Sequence, residues 1–285
     1  MHPLSDQASA LLDQPTEGNL DQISLTDSLK TLILRFERLF ELRVRSGLVF
    51  KCNDQFYLAE NASDLPGPKP HGLFMLGSLC VMFMSFVPGV TLDAVWPSLS
   101  HETKSPIQSQ LDSIFGRLRS LSQDDGKELG GVSGKGVKDY RISEIFAHKG
   151  ITTARGFNEF QFSAKHCASP CYVTLLRSFL KDENEALRGS VFTHGDLKKS
   201  NIMVQQDIDD ADAYIITGII DWEDSGFYPE VYECTTLSNG QSIISDDDWY
   251  LYAPDCISLL RHPVRWLVDR LWGNLLWNWR TDIVR

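Results

Sequence analysis

The chain has 285 residues, of which 42% are apolar and 23% charged, a composition typical of globular proteins with a substantial core. A formal net charge of −11 argues against general nucleic-acid binding, which needs a basic surface. Six cysteines without C-x-x-C spacing, and a polar start that lacks the apolar core of a signal peptide, predict reduced thiols and a cytoplasmic protein.

The beginning of the chain combines a polar tail with an amphipathic segment. Residues 1–25 contain Pro, Asp, Gln and Ser without periodicity and predict a disordered tail. Residues 26–44 have apolar side chains at helical spacing and predict a helix that packs on the body of the protein; a partner-binding helix is the alternative. Residues 47–58 favour two strands around an Asn-Asp turn, with Lys51 inside the first strand. A lysine in such a strand usually faces solvent.

An apolar run over residues 73–87 is too short to cross a membrane as a helix. A spanning helix needs roughly 20 apolar residues, and Gly77 and Ser78 interrupt this run. We therefore expect two strands joined by a turn, and no stable membrane insertion. The second strand, over residues 79–86, leads into a Val-Pro-Gly turn.

Helical periodicity dominates the next part of the chain. Helices are predicted over residues 91–96, 105–121, 157–162 and 172–180. A glycine-rich stretch between them, residues 126–136, predicts a connecting loop, because no strand and helix frame it as a phosphate-binding loop requires.

Cys167 and Cys171 follow His166 at a spacing that suggests zinc binding. A structural zinc site needs four ligands, and no second cluster in the sequence completes the set. Reduced cysteines are therefore the favoured interpretation.

Two short apolar runs carry carboxylates at their ends. Residues 190–193 and 214–220 favour buried strands; the first is followed by His194-Gly195-Asp196, and the second by Asp221. Asn201 lies five residues after Asp196 across a basic loop. Phosphoryl transfer needs one carboxylate to orient the attacking hydroxyl, and an amide oxygen and a second carboxylate to hold magnesium. An Asp that merely caps a turn after Gly is the alternative.

Acidic residues follow this stretch in two places. Glu223, Asp224, Glu230 and Glu233 surround a Gly-Phe-Tyr-Pro loop whose aromatic side chains are candidates to face an acceptor molecule. The carboxylates suit a cationic acceptor, and a solvated acidic loop is the alternative. Residues 246–248, three consecutive aspartates, suggest either a chelated cation or, as we favour, the N-cap of a helix.

The end of the chain is rich in tryptophan. Residues 258–279 place Trp, Val and Leu at helical intervals and predict a helix that covers the larger part of the protein. An apolar surface left exposed there would be an interface or a membrane-surface contact.

These motifs resemble the aminoglycoside phosphotransferase family, whose members share the two-lobed architecture of protein kinases. The signature HGDLxxxNIMV, followed by ITGIIDWE, matches residues 194–204 and 216–223. Shorter matches are PKP at residues 68–70, MSFVPGVTL at 84–92, LRSL at 118–121 and GFYPE at 226–230. The resemblance extends from about residue 48 to about residue 272.

The resemblance implies an α+β fold of the protein-kinase type: a β-rich N-terminal lobe over residues 26–86 and a mostly helical C-terminal lobe over residues 87–285. It implies ATP and Mg²⁺ as cofactors and a small hydroxylated molecule as acceptor. The implied site consists of Asp196 as catalytic base, Asn201 and Asp221 on magnesium, Lys51 on the nucleotide phosphates, and Met82, Phe83, Met84 and Ser85 around adenine. Lys198 is the residue that we expect to neutralise charge on the transferred group.

One departure from the family pattern concerns the N-terminal lobe. The family has a glutamate-bearing helix between the lysine strand and the Pro-x-Pro segment, but the two strands predicted here leave only about seven residues, with Glu60 as the nearby carboxylate. The lobe is therefore predicted to be abbreviated, and a catalytically weak or inactive kinase-like binding module is the alternative function. A zinc hydrolase using His194 and Asp196 lacks further histidines at ligand spacing. The sequence leaves the acceptor and the oligomeric state open.

Overall fold

The chain divides into two compact units. Pro70–Met84 belongs to the smaller unit, and the larger unit contains residues 52–69 and the described residues from Ser85 onward. The computed structural model describes residues 52–76, 79–132, 134, 136–139, 142–181, 190–210, 213–237 and 246–276. The predicted tail, the predicted helix over residues 26–44 and Lys51 lie outside these ranges. The lobe boundaries given above stay a prediction.

An antiparallel strand pair forms the described part of the smaller unit. β1 (Pro70–Leu76) pairs with β2 (Leu79–Met84), with Leu73 opposite Met82. Proline suits the first residue of a strand, because it has no N–H to donate to the ladder. The two predicted strands within residues 73–87 are thus confirmed. Among the described residues, no helix is long and apolar enough to cross a membrane.

Strands of the larger unit form short antiparallel sheets. β3 (Val90–Thr91), β7 (Ile202–Gln206) and β8 (Tyr214–Ile219) form one sheet in the order β3-β7-β8. Two further pairs are β4 (Val137–Asp139) with β5 (Ser143–His148), and β6 (Val191–Thr193) with β9 (Gly226–Tyr228). The strands predicted over residues 190–193 and 214–220 are confirmed as β6 and β8.

A long helix packs against two of these strands. α2 (Leu92–Val95) precedes α3 (His101–Arg119), whose N-cap Ser100 accepts a hydrogen bond from the N–H of Thr103. Ile107, Leu111, Phe115 and Leu118 recur at helical spacing on α3 and are fully buried. This face packs against β6 and β8, and so fixes the strands that end at the motif residues described below.

Four further α-helices follow α3 in the described part of the larger unit. Their bounds are α4 (Ala154–Gln161), α5 (Pro170–Phe179), α6 (Tyr232–Leu237) and α7 (Pro263–Gly273). α5 and α7 share a separate core that includes Leu176, Val268 and Trp272. The predicted helices over residues 91–96, 105–121, 157–162 and 172–180 are confirmed in type, and α7 is the described part of the helix predicted at the end of the chain.

The two strands predicted over residues 47–58 are wrong in their described part. Cys52–Asn61 is an α-helix, here called α1. Gln55, Leu58 and Ala62 are buried at helical spacing, and Gln55 Nε2 donates to the carbonyl of Pro68 at 3.1 Å. Tyr57 stacks on Phe192, with ring centroids 5.6 Å apart. Tertiary packing therefore overrides the local strand preference, and a ten-residue helix occupies the place where the sequence seemed to leave no room for one.

The loop predicted after Asp224 is also wrong in part. Gly226–Tyr228 is a buried strand, β9, and the N–H and carbonyl groups of Phe227 both hydrogen-bond Gly130 in the glycine-rich stretch, at 2.8 and 2.7 Å. A Cβ at Gly226 would lie 2.4 Å from the carbonyl oxygen of Gly130, so glycine is required for this approach. Phe227, Tyr228 and Tyr232 are buried in the core, and they do not face an acceptor.

Candidate active site

The predicted carboxylates lie directly after two strands of the larger unit. β6 ends at Thr193 and continues into His194, Gly195 and Asp196. β8 ends at Ile219, and Asp221 follows two residues later. The main chain of Ile220 joins the two segments: its N–H donates to the Asn201 carbonyl at 2.9 Å, and its carbonyl lies 3.0 Å from His194 Nε2. The loops that carry Asp196, Asn201 and Asp221 are therefore held together.

The side chain of His194 holds the two loops together. Its side chain is fully buried and packs on Trp222, with ring centroids 4.6 Å apart. Nδ1 accepts the N–H of Asp196 at 3.2 Å, which assigns the proton to Nε2 and lets Nε2 donate to Ile220. Burial lowers the pKa of His194 to about 4, although the Ile220 carbonyl and Asp196 favour the charged form. A neutral imidazole with both nitrogens engaged fits a positioning role rather than proton transfer.

Glu233, on α6, holds the main chain of His194 and Gly195. Its side chain is fully buried; Oε2 accepts the N–H of His194 at 2.6 Å, and Oε1 accepts the N–H of Gly195 at 3.0 Å. Burial raises the pKa of Glu233 to about 7, against the effect of the two N–H groups and of Arg119. This carboxylate was predicted to face solvent or an acceptor, and both alternatives are wrong for it. Its role could not be read from the sequence, because 38 residues separate it from Gly195.

Gly195 allows the loop to come close to the segment after Asp221. Its φ is +86°, and a Cβ there would lie 2.3 Å from the carbonyl oxygen of Asp224. Any other residue would face both a disfavoured backbone conformation and a steric clash. The glycine of the His-Gly-Asp motif is therefore required by the contact between the two loops.

Asp196, Lys198 and Asn201 form one hydrogen-bonded group. Asp196 Oδ2 accepts Lys198 Nζ at 2.7 Å and Asn201 Nδ2 at 3.2 Å, while Asn201 Nδ2 also donates to the Asp196 carbonyl at 2.9 Å. No described residue donates to Asp196 Oδ1. Partial burial acts to lower the pKa of Lys198, but the hydrogen bond to Asp196 and the nearby Asp221 and Glu223 outweigh it and raise that pKa. Lys198 therefore stays charged.

Asp221 has an unusual backbone conformation and crowded surroundings. Its φ and ψ of 64° and 56° make it left-handed, and among the described non-glycine residues it alone has a positive φ. Such a conformation costs about 1–3 kcal/mol and is concentrated at functional sites. Partial burial and the negative charges of Glu223 and Asp196 raise the pKa of Asp221, and Lys198 opposes them. The carboxylates of Asp196, Asp221 and Glu223 thus lie near a single lysine, Lys198.

The chemistry of these residues fits a magnesium ion that is shared with phosphate. No group of three or more His, Cys, Asp or Glu side chains in the described part of the chain converges to hold a metal by itself. Magnesium rarely uses such a cage; it takes one or two carboxylates and completes its shell with water and substrate phosphates. The amide of Asn201 turns its nitrogen to Asp196, which leaves Oδ1 as a donor to a metal, and a cation would relieve the crowding at Asp221.

The other predicted site residues lie apart from this group in the chain. Met82, Phe83 and Met84 lie on β2 of the smaller unit, where Met84 is exposed. Ser85 begins the following segment, and its Oγ accepts the N–H of Lys69 at 2.8 Å. Lys51 lies outside the described residues. Its assignment to the nucleotide phosphates, and that of residues 82–85 to adenine, stay predictions.

The remaining acidic candidates differ in their surroundings. Glu230 Oε1 lies 3.8 Å from Nη2 of Arg119 and 3.7 Å from Nη2 of Arg261. Asp248 accepts Lys104, and Asp247 accepts Lys199 and also the N–H of Trp249. The aspartates at 247 and 248 are therefore neutralised by lysines rather than arranged around a cation. Asp248 is the N-cap residue of the short helical turn Trp249–Tyr252, as favoured above, but its side chain makes no capping hydrogen bond; the N–H of Trp249 is accepted by the preceding Asp247.

Comparison with known proteins settles the family. A sequence profile described as the phosphotransferase enzyme family (APH) matches residues 24–253, more than half of the chain. The chain belongs to this phosphotransferase family. Membership confirms the predicted resemblance and, with it, the α+β fold of the protein-kinase type.

Solved structures are also similar to this phosphotransferase. One is the gentamicin–APH(2'')-IIa complex, at 14% identity and a TM-score of 0.42, covering 81% of this chain and 72% of that one. Another is the ADP-bound aminoglycoside phosphotransferase APH(2'')-Ib, at 13% identity and a TM-score of 0.42, covering 80% and 72%. No curated protein sequence matches the chain significantly.

Proposed function

We propose that the protein transfers the γ-phosphoryl group of ATP to a hydroxyl group of a small molecule, with Mg²⁺ as cofactor. The observation that carries this proposal is the convergence on Ile220: one residue's N–H and carbonyl tie the loop of Asp196 and Asn201 to the residue before Asp221. The base and the two metal-binding candidates of a kinase are thereby kept in one place.

Asp196 is the base in this proposal. Lys198 and Asn201 both donate to Oδ2, so Oδ1 is the oxygen left to accept a hydrogen bond from an acceptor hydroxyl. The carboxylate would orient that hydroxyl and take its proton as the oxygen bonds to the γ-phosphorus and the bond from that phosphorus to the bridging oxygen breaks, with ADP as the leaving group. Lys198, kept charged by the surrounding acids, would stabilise negative charge on the transferred group.

Asn201 Oδ1 and the carboxylate of Asp221 would hold magnesium. When bound with ATP, the metal neutralises charge on the phosphate oxygens and orients them for in-line attack. The protein's own contribution is the fixed backbone around these two ligands, namely the Ile220 hydrogen bond at Asn201 and the left-handed conformation of Asp221.

The nucleotide and acceptor parts of the proposal depend on family membership. Residues 82–85 would contact adenine, and Lys51 the phosphates. The acceptor is a small hydroxylated molecule, and Glu223 and Asp224 are the acidic residues next to Asp221 that suit an acceptor with positive charge. A cytoplasmic location fits ATP chemistry and the described cysteines, since Cys167, Cys171, Cys234 and Cys256 form no disulfide. The formal net charge of −11 argues against nucleic acid as a partner.

A thermal-shift titration tests the site without knowledge of the acceptor. ATP with magnesium at a hundred times its dissociation constant should stabilise the protein by about 2.7 kcal/mol, and the shift should vanish with EDTA and in Asp221→Ala. Asp125→Ala is the matched control, since Asp125 is exposed and contacts no described residue through a hydrogen bond or ion pair. A shift that is absent in the wild type, with or without magnesium, would favour the inactive kinase-like module instead.

A further inference from the structure

Two adjacent lysines in the catalytic loop point in different directions. Lys198 donates to Asp196, as described above, and its side chain is 52% exposed. Lys199 lies 2.7 Å from Asp247 Oδ2 and 3.4 Å from Asp93 Oδ1, and its side chain is only 11% exposed. The ammonium of Lys199 also lies 5.9 Å from the ring centre of Trp96. The proposed reaction uses Lys198, and it assigns nothing to Lys199.

The carboxylate that receives Lys199 is itself held in place. Asp247 Oδ1 accepts the N–H of Trp249 at 3.1 Å. The neighbouring Asp248 accepts Lys104 at 2.8 Å and the indole N–H of Trp96 at 2.8 Å. Trp249 is buried against Trp96, with ring centroids 5.4 Å apart. Lys199 is thus attached to a fixed support rather than to a mobile surface carboxylate.

Lys199 lies between the two parts of the loop that the other contacts fix. Glu233 and His194 fix the segment before Asp196, and Ile220 fixes the main chain of Asn201. Lys199–Asn201 is a single helical turn, so the Lys199 ion pair and the Ile220 hydrogen bond hold its two ends.

We propose that Lys199 and Asp247, supported by Asp93, form a positioning pair that sets the orientation of the Asp196–Asn201 loop, so that Asn201 and Asp196 reach the geometry needed for transfer. The kinetic consequence rests on the proposed function, whereas the effect on the loop does not. Lys199 touches no reacting group in this proposal; it acts through Asn201 and Asp196.

Lys199→Met removes the charge and keeps most of the apolar stem. Arg117→Met is the control, because Arg117 also makes an ion pair, to Asp64 at 3.0 Å, in the same unit but without contact to the loop after β6; this pair is the more exposed of the two. Two further variants test the pair itself: Lys199→Arg keeps the charge, and Lys199→Asp combined with Asp247→Lys exchanges it.

Amide hydrogen exchange of the loop peptide around residues 194–201 is the first measurement. Lys199→Met should speed exchange there about tenfold, while Arg117→Met leaves this peptide unchanged, because only the first variant releases the loop. Equal exchange rates of this peptide in the two variants would refute the proposal that Lys199 and Asp247 orient the loop. This measurement needs no turnover, so a failure of the proposed function and a failure of the pair give different results.

Steady-state kinetics of phosphoryl transfer are the second measurement. Lys199→Met should lower kcat about tenfold to a hundredfold with the KM for ATP little changed, since a misplacement near 1 Å has such an effect on rate. Lys199→Arg and the charge-exchanged double variant should recover most of the loss. A kcat equal to that of the wild type, or a double variant as impaired as the sum of its single changes, would refute the pair.

Discussion

Replacing Glu233 with glutamine tests how the loop after β6 is held, because it keeps the shape of the side chain and removes its charge. The carboxylate accepts two backbone N–H groups, from His194 at 2.6 Å and from Gly195 at 3.0 Å. A glutamine has one carbonyl oxygen, so one of these buried N–H groups would face an NH₂ group. An unsatisfied buried donor costs about 1–3 kcal/mol.

The pH dependence of this cost has a definite sign. The pKa of Glu233 is raised from 4.5 to about 7, so the folded state binds the proton more tightly and stability falls as pH rises through this window, by roughly 3 kcal/mol in all. The pKa of His194 is lowered from 6.5 to about 4, so its contribution is complete above 6.5 and is lost as pH falls toward 4. In the wild type the two effects oppose each other.

Chemical denaturation at about pH 5 and about pH 8 separates them. Glu233→Gln should be destabilised most at the lower pH, and the difference from the wild type should shrink by roughly 3 kcal/mol at the higher pH, because only the wild type loses stability as Glu233 ionises. Between about pH 4 and 6.5 the variant should become more stable with rising pH, because burial lowers the pKa of His194 and of His262 and Glu233 no longer opposes them. A difference between the two proteins that is the same at both pH values would refute this account of Glu233.

Three further substitutions test other parts of the site. Gly195→Ala should lower the free energy of unfolding by about 2 kcal/mol or more, because its Cβ would meet the Asp224 carbonyl at 2.3 Å. Gly116→Ala, in the last turn of α3, has a Cβ that meets nothing within 4 Å and should stabilise the protein by about 0.5–1 kcal/mol. Thermal melts compare the two variants, and equal effects would contradict the packing described. Lys198→Met should lower kcat about tenfold to a hundredfold and change stability by less than about 1 kcal/mol, since the side chain is 52% exposed; an unchanged kcat would exclude it from the reaction. Asn201→Ala should raise the magnesium concentration for half-maximal ATP binding by about tenfold or more, and an unchanged requirement would remove Asn201 from the metal site.

The central motif could be predicted from the sequence because its determinants are local. β6 and β8 are short apolar runs, and each is followed within a few residues by the carboxylates that it positions. The order of Asp196, Asn201 and Asp221, with glycine at 195, therefore indicated both the chemistry and the strand ends. Helices α3, α4 and α5 were visible from apolar spacing alone.

Residues that act across long sequence separations could not be predicted. Glu233 and Lys199 look like ordinary charged residues until α6 and the segment around Asp247 bring their partners to the loop. Helix α1 was misread as strands because Phe50, Phe56 and Tyr57 favour strands locally, whereas the packing of Tyr57 on Phe192 and Phe227 decides for a helix. The aromatic residues of β9 were considered as candidates to face an acceptor because the sequence does not show their burial. That burial depends on pairing with the distant Gly130.

Release of the γ-phosphate from ATP, followed in the presence and absence of magnesium, tests the central claim most directly. With water or a panel of small hydroxylated molecules as acceptor, the wild type should transfer phosphate only with magnesium. Asp196→Asn should bind ATP as well as the wild type and transfer at least about a hundredfold more slowly, because it lacks the base. Transfer at an equal rate in Asp196→Asn, or transfer that is unaffected by EDTA, would contradict the assignment of the Asp196, Asn201 and Asp221 group as a phosphoryl-transfer site.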